Sequence, residues 1–193
     1  FFGKDAGFAS DTQFVSPPLN VGTTDDFVVT FSHAYSLEGA PGQLFDGGVV
    51  ELSLNGGATW SDVTAFGVNP GYTGALFVGS GNPLAGRQAY SAISPGFPTL
   101  NQVSLDFGTI FAGLTVQVRF RIGTDANAAF SGWTIDDVEI DGITNTPFPI
   151  QVPETTACTA LELPTLESDE LATRSAPATS LSAFDRQVCI LND

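Results

Sequence analysis

The chain has 193 residues, with 21 acidic side chains against 6 Lys and Arg, a formal net charge of −15. That balance argues against a phosphate-backbone partner, which needs clustered Lys and Arg, and no apolar run reaches the ~20 residues of a membrane span. Apolar residues make up 42% and mean hydropathy is +0.16, which excludes wholesale disorder.

From Phe14 to Ile143 the chain reads as β. Phe27 to Leu37 alternates, with Phe27, Val29, Phe31, Tyr35 and Leu37 on one face and Thr30, Ser32 and Ser36 on the other. Val49 to Leu54 is a second strand, closed by the turn Asn55-Gly56-Gly57, with a return strand beginning at Thr59-Trp60. Gly67 to Pro98 is dense in Gly and Pro and too long for a bare loop, so a structured excursion over one face is expected. Gln102 to Phe107 follows as a strand. Leu114, Val116, Val118, Phe120 and Ile122 then alternate with Thr115, Gln117, Arg119 and Arg121, the clearest strand of all. Trp133 to Ile143 is the last. Half-buried strands without amphipathic helices predict two packed antiparallel sheets.

After Ile143 the texture changes to Thr, Ser, Ala, Pro and acids. The expected division is a β-sandwich over 1–144 and a tail, or the start of a second module, over 145–193. Cys158 and Cys189 both fall in that tail, outside any CxxC motif and without a nearby His to complete a zinc set. A disulfide closing the tail is the expectation, with two free thiols as the alternative. A disulfide would imply an oxidising compartment, so the protein is expected to be secreted or at the cell surface. The chain contains no Met, position 1 included, and reads as a processed or excised piece of a longer chain.

Four segments occur in a telling order. They are Ser10-Asp11-Thr12 with Val15 to Leu19; Phe45-Asp46-Gly47-Gly48 through Trp60; Val118 to Asp125; and Gly132-Trp133-Thr134-Ile135-Asp136-Asp137-Val138. Over roughly residues 5–143 the chain resembles the MAM-like or choice-of-anchor jelly-roll modules of bacterial secreted proteins. Such modules are often appended to exported metallopeptidases or surface proteins. The resemblance implies an all-β, two-sheet jelly-roll sandwich that is non-catalytic and holds a structural Ca²⁺.

Within that frame Asp136-Asp137 is the most informative pair. Ile135, Val138 and Ile140 do not share one period-2 register, so a bulge is expected there, re-aiming one carboxylate. The resemblance places a calcium ligand in this region. Asp5 and Asp11 are the expected partners, since the first strand of a jelly roll lies near the last, and Asp46 and Glu38 are reserves. Ca²⁺ takes six to eight hard oxygens, which suits an acidic chain with one His. His33, on an apolar strand face, reads as a packed structural residue, and Trp60 and Trp133 as core or rim. Arg119 and Arg121 are expected on an exposed face, pairing with neighbouring carboxylates for little energy.

No GxSxG, HExxH, P-loop or GxGxxG motif is present. The expected function is therefore a secreted accessory module for adhesion, targeting or assembly of a larger exported protein. Its partners would be that protein's other domains or chains, or a surface polysaccharide. One alternative is a carbohydrate-binding module, which an exposed aromatic row at Tyr72, Phe77, Tyr90 and Phe97 would favour. A carboxylate-dependent hydrolase is a third reading, though no spacing selects its acid pair.

Overall fold

The computed structural model describes residues 1–147. Its strands are β1 (Phe2–Gly3), β2 (Ser10–Val15), β3 (Leu19–Asn20), β4 (Val28–Ser36), β5 (Gly39–Ala40), β6 (Gln43–Leu44), β7 (Gly47–Ser53), β8 (Ser61–Asp62), β9 (Gly74–Ala75), β10 (Gln88–Ala89), β11 (Asn101–Asp106), β12 (Thr115–Thr124) and β13 (Gly132–Asp141). A four-stranded sheet runs β1-β13-β4-β11, and a five-stranded one runs β2-β12-β7-β8 with β3 also on β12. All pairings in both are antiparallel. The two small hairpins β5–β6 and β9–β10 are separate.

The alternation read from sequence is what packs the sheets. Val29, Phe31 and Tyr35 point inward from β4, and Val116, Val118, Phe120 and Ile122 point inward from β12, into one shared core. Phe31 meets Phe120 edge-on at 5.1 Å between centroids, and Phe120 meets Trp133 at 6.0 Å. Trp133 is wholly buried because β7 offers it Gly48: a Cβ there would lie 2.3 Å from the indole Cε3. That close approach requires glycine.

The excursion over 67–98 takes the form the turn density predicts. Leu76, Leu84 and Ala89 form a second small core with Val49, which points outward from β7 while Val50 and Leu52 point into the main core. The excursion therefore covers part of the outer face of the five-stranded sheet. Its end then crosses between sheets. Tyr90 bonds Gly48 at the edge of β7, and Ala92 and Ser94 bond Leu37 and Tyr35 at the end of β4. The return strand expected at Thr59-Trp60 starts two residues later and is short. After Ser61–Asp62 the Asp62 carboxylate caps a 3₁₀ turn, Val63–Phe66, by accepting from the Thr64 amide.

Register in β13 shifts between Asp136 and Glu139, and Asp137 adopts φ +48°. The phase break between Ile135 and Ile140 is thus a bulge, as the hydrophobic pattern requires. Cys158 and Cys189 lie outside the described residues, as does most of the expected tail.

Candidate metal centre

Four carboxylates gather at one end of the sandwich, each just outside a strand. Asp5 follows β1, Glu38 follows β4, Asp46 precedes β7 and Asp125 follows β12. Antiparallel pairing forces this meeting: Gly47 at the start of β7 faces Gly123 at the end of β12, and Gly3 and Ser36 face the first residues of β13. Asp5 and Asp46 are fully buried, Asp125 is 1% exposed and Glu38 is half-buried.

Asp5, Asp46 and Asp125 are each held by neutral donors. Asp5 Oδ2 accepts from the Glu38 and Phe130 amides at 3.1 and 3.2 Å. Asp46 Oδ1 accepts from the Asp125 amide at 2.6 Å and the Asn82 side chain at 3.3 Å. Asn82 also donates to the carbonyls of Phe45 and Gly123, tying the start of β7 to the end of β12. Asp125 Oδ1 accepts from the Asn127 amide at 2.8 Å.

That leaves Asp5 Oδ1, Asp46 Oδ2 and Glu38 Oε2 buried with no hydrogen-bond partner among the described residues. Among the described residues none of the four carboxylates makes an ion pair. Burial pushes Asp46 up to about 8, helped by Asp5 beside it, and raises Asp5. Glu38 is raised by burial and then by the Asp125 charge. Such a group must bind either protons or a cation.

The spacing suits a cation. One ligand atom each from Glu38, Asp46 and Asp125 lies within 4.8 Å of the others. Oxygens around Ca²⁺ at 2.3–2.6 Å stand at most about 5 Å apart. All four side chains offer oxygen only, and two of the unpartnered atoms belong to fully buried aspartates. Oxygen ligands of this charge favour Ca²⁺ over Zn²⁺.

Of the ligands expected from sequence, only Asp5 lies beside this cluster, bonded to the Glu38 amide, and it stands outside the three acids whose ligand atoms lie within 4.8 Å of one another. Asp11 instead holds Arg121 with both oxygens, at 2.8 and 2.7 Å, and that guanidinium keeps its carboxyl below the usual range. Asp136 and Asp137 are exposed in the bulge, where Asp136 Oδ1 accepts the Asp137 amide. The bulge turns these side chains toward solvent rather than toward a shared site. Glu38 and Asp46, the reserves, are central, and Asp125 is the member that sequence reasoning passed over. The available signal was an acid directly closing the strongest strand.

The remaining singled-out residues are structural. His33 sits among Phe31, Tyr35, Tyr90 and Trp133 and accepts from the indole N–H at 3.2 Å. Burial lowers its pKa to about 4, so it is neutral at physiological pH. Tyr90 is 1% exposed and packs edge-on to Tyr72, so the four aromatics do not form an exposed row. The expectation of a solvated Arg pair needs correction. Arg119 is 9% and Glu51 3% exposed, and Glu51 also holds Arg87 at 2.7 Å. The Arg119 guanidinium lies 4.3 Å from the centre of the Trp60 ring, and the excursion brings in Arg87, so the outer face is covered around Arg119.

No protein-family model matches the chain, and no curated protein matches it at significant similarity.

Proposed function

We propose that the chain is a non-catalytic accessory module of an exported or cell-surface protein, a jelly-roll sandwich built around one structural Ca²⁺. It serves adhesion, targeting or assembly through contacts with other domains or chains of that protein, or with a surface polysaccharide. The observation that carries this reading is the enclosed carboxylate group with its unpartnered oxygens. Glu38, Asp46 and Asp125 would hold the ion with the buried Asp5 beside them, and the ion supplies positive charge where these crowded acids otherwise repel.

The strand pairing supports the jelly-roll assignment. β1 pairs with β13, β2 with β12, β4 with β11 and β7 with β8, a nested set equivalent to one long hairpin rolled into two sheets. Enclosure supports the non-catalytic assignment. Three of the four acids are at most 1% exposed, so the group offers a glycosidic bond no accessible pair of carboxyls. The lone His is occupied by Trp133.

The test pairs elemental analysis of exhaustively dialysed protein with a reducing-end assay on soluble polysaccharides in Ca²⁺. One calcium per chain and no release above blank are expected. Hydrolysis that disappears in Asp46→Asn would overturn the non-catalytic reading.

A further inference from the structure

We propose that Asn82 is the positioning residue of the cation site, and that through it the excursion over 67–98 seats as a part of that site. The inference rests on reading the Glu38, Asp46 and Asp125 group as a cation site. It goes beyond that reading by bringing in a neutral side chain, from a segment that contains no Asp or Glu and so supplies no acidic ligand.

Asn82 is buried, and its surroundings fix the orientation of its amide. The Leu84 amide can only donate, and the carbonyls of Phe45 and Gly123 can only accept. The Asn82 oxygen therefore takes the Leu84 amide at 2.7 Å, and its nitrogen gives to Phe45 at 2.8 Å and to Gly123 at 2.7 Å. Phe45 directly precedes Asp46, and Gly123 stands two residues before Asp125. Both hydrogens of the nitrogen thus bridge the entry of β7 to the exit of β12, the two places that carry these acids. The same nitrogen lies 3.3 Å from Asp46 Oδ1, which also accepts the Asp125 amide at 2.6 Å. One oxygen of Asp46 is occupied in this way, and Oδ2 is left without a partner among the described residues.

The strand ends are cut back to receive this bridge. Gly47 and Gly123 face one another in the register of β7 with β12. A Cβ on Gly123 would lie 2.4 Å from Asn82 Oδ1 and 2.9 Å from Leu84 Cγ. One on Gly47 would lie 2.8 Å from the Ala89 Cβ and 2.9 Å from Leu76 Cδ2. A second grip comes from Ser91, fully buried, whose Oγ donates to the Asp46 carbonyl at 2.5 Å. The excursion therefore holds Asp46 through both its side chain and its backbone. Asn82 carries no charge, so it fixes where Asp46 and Asp125 stand without neutralising either. A group that orients a ligand in this way governs affinity although it never touches the ion. By linkage, an ion that needs Asp46 in place also stabilises the seat of the excursion that places it.

The experiment uses the full chain, stripped with chelator and titrated with CaCl₂. By calorimetry, Asn82→Ala should weaken Ca²⁺ binding by about 10–100-fold, the usual cost of removing a group that orients a ligand. Asn69→Ala, whose side chain accepts the Gly71 amide in an exposed turn of the same excursion, should leave the affinity unchanged. Amide hydrogen exchange in the wild type gives a readout that needs no variant. Saturating Ca²⁺ should slow exchange of the Leu84 amide, bonded to Asn82, by about tenfold relative to Val21, within the usual range for coupled sites. The Val21 amide is bonded to the Leu114 carbonyl beside the opposite end of β12. An Asn82 that served packing alone would lower Tm on substitution and leave both readouts unmoved. Equal affinity in a folded Asn82→Ala, or slowing at Leu84 no greater than at Val21, overturns the positioning role and leaves the site standing. No binding heat in the folded wild-type chain overturns the site and the role together.

Discussion

Replacing Asp46 by Asn should stabilise the protein in chelator and destabilise it in calcium. The substitution keeps the shape and removes one charge. In the wild type without cation, Asp46 is pushed up to about 8 by burial and by Asp5. A folded-state pKa raised above the unfolded value of 3.8 gives stability that is fully present below that value. It declines as pH rises and levels off once the folded pKa is passed. Asn carries no charge at any pH and escapes this loss. The difference between variant and wild type in chelator should therefore be small near pH 4, grow with pH and reach a plateau above about 8. Its size follows from the geometry. Two unit charges at the 4.8 Å limit of the cluster repel by roughly 3 kcal/mol at an effective dielectric of 20. For a chain of this length that shifts Tm by about 6–12 °C. In excess Ca²⁺ the order should invert, because a site filled at a thousand times Kd adds about 4.1 kcal/mol, more than the repulsion, and the variant loses most of that gain. Differential scanning fluorimetry at pH 5 and 9, with chelator and with Ca²⁺, reads all four conditions. A variant less stable than wild type in chelator at pH 9 would refute the claim that the Asp46 charge is uncompensated.

Three further outcomes are expected. Gly48→Ala should cost about 1–3 kcal/mol in urea unfolding, because its Cβ would collide with the Trp133 indole; an unchanged midpoint would mean that the sheets can part without cost. Glu51→Gln should cost about 3–5 kcal/mol, since Arg119 is left buried beside a neutral amide; a loss below 1 kcal/mol would place this network among solvated pairs. Asp137→Gly should raise stability slightly, by up to about 1 kcal/mol, through relief of the positive φ. It should leave the Tm response to Ca²⁺ intact, and loss of that response would return the bulge to the ligand set.

The strands were legible because their signal is local. Val116 to Ile122 alternates within a single stretch, and the broken period between Ile135 and Ile140 carried enough information to place the bulge. The bulge's consequence was not legible. Whether a displaced carboxylate turns toward a cluster or toward solvent depends on what lies above the strand, and among the described residues Asp136 and Asp137 stand exposed. Distance in the chain hid the carboxylate group itself. Asp5, Glu38, Asp46 and Asp125 sit on four separate connections, and only the pairing of β1, β4, β7 and β12 with their neighbours brings them together. Asp11 was misplaced for a related reason. It shares an outer face with Arg121 across the β2–β12 pair, and the nearer counter-charge takes it. Arg119 reads as a surface residue from alternation alone, since Gln117 and Arg121 flank it in the same phase. Its burial comes from Trp60 and from the excursion that carries Arg87 over the sheet.

Calorimetric titration of CaCl₂ into the chelator-stripped chain at pH 7.4 decides whether the buried carboxylate group takes up a cation. One site per chain is predicted, abolished or strongly weakened in Asp46→Asn and in Asp125→Asn, and unchanged in Asp136→Asn and Asp11→Asn. A folded protein that takes up no calcium, or one whose binding is lost with Asp136 and kept without Asp125, would contradict it.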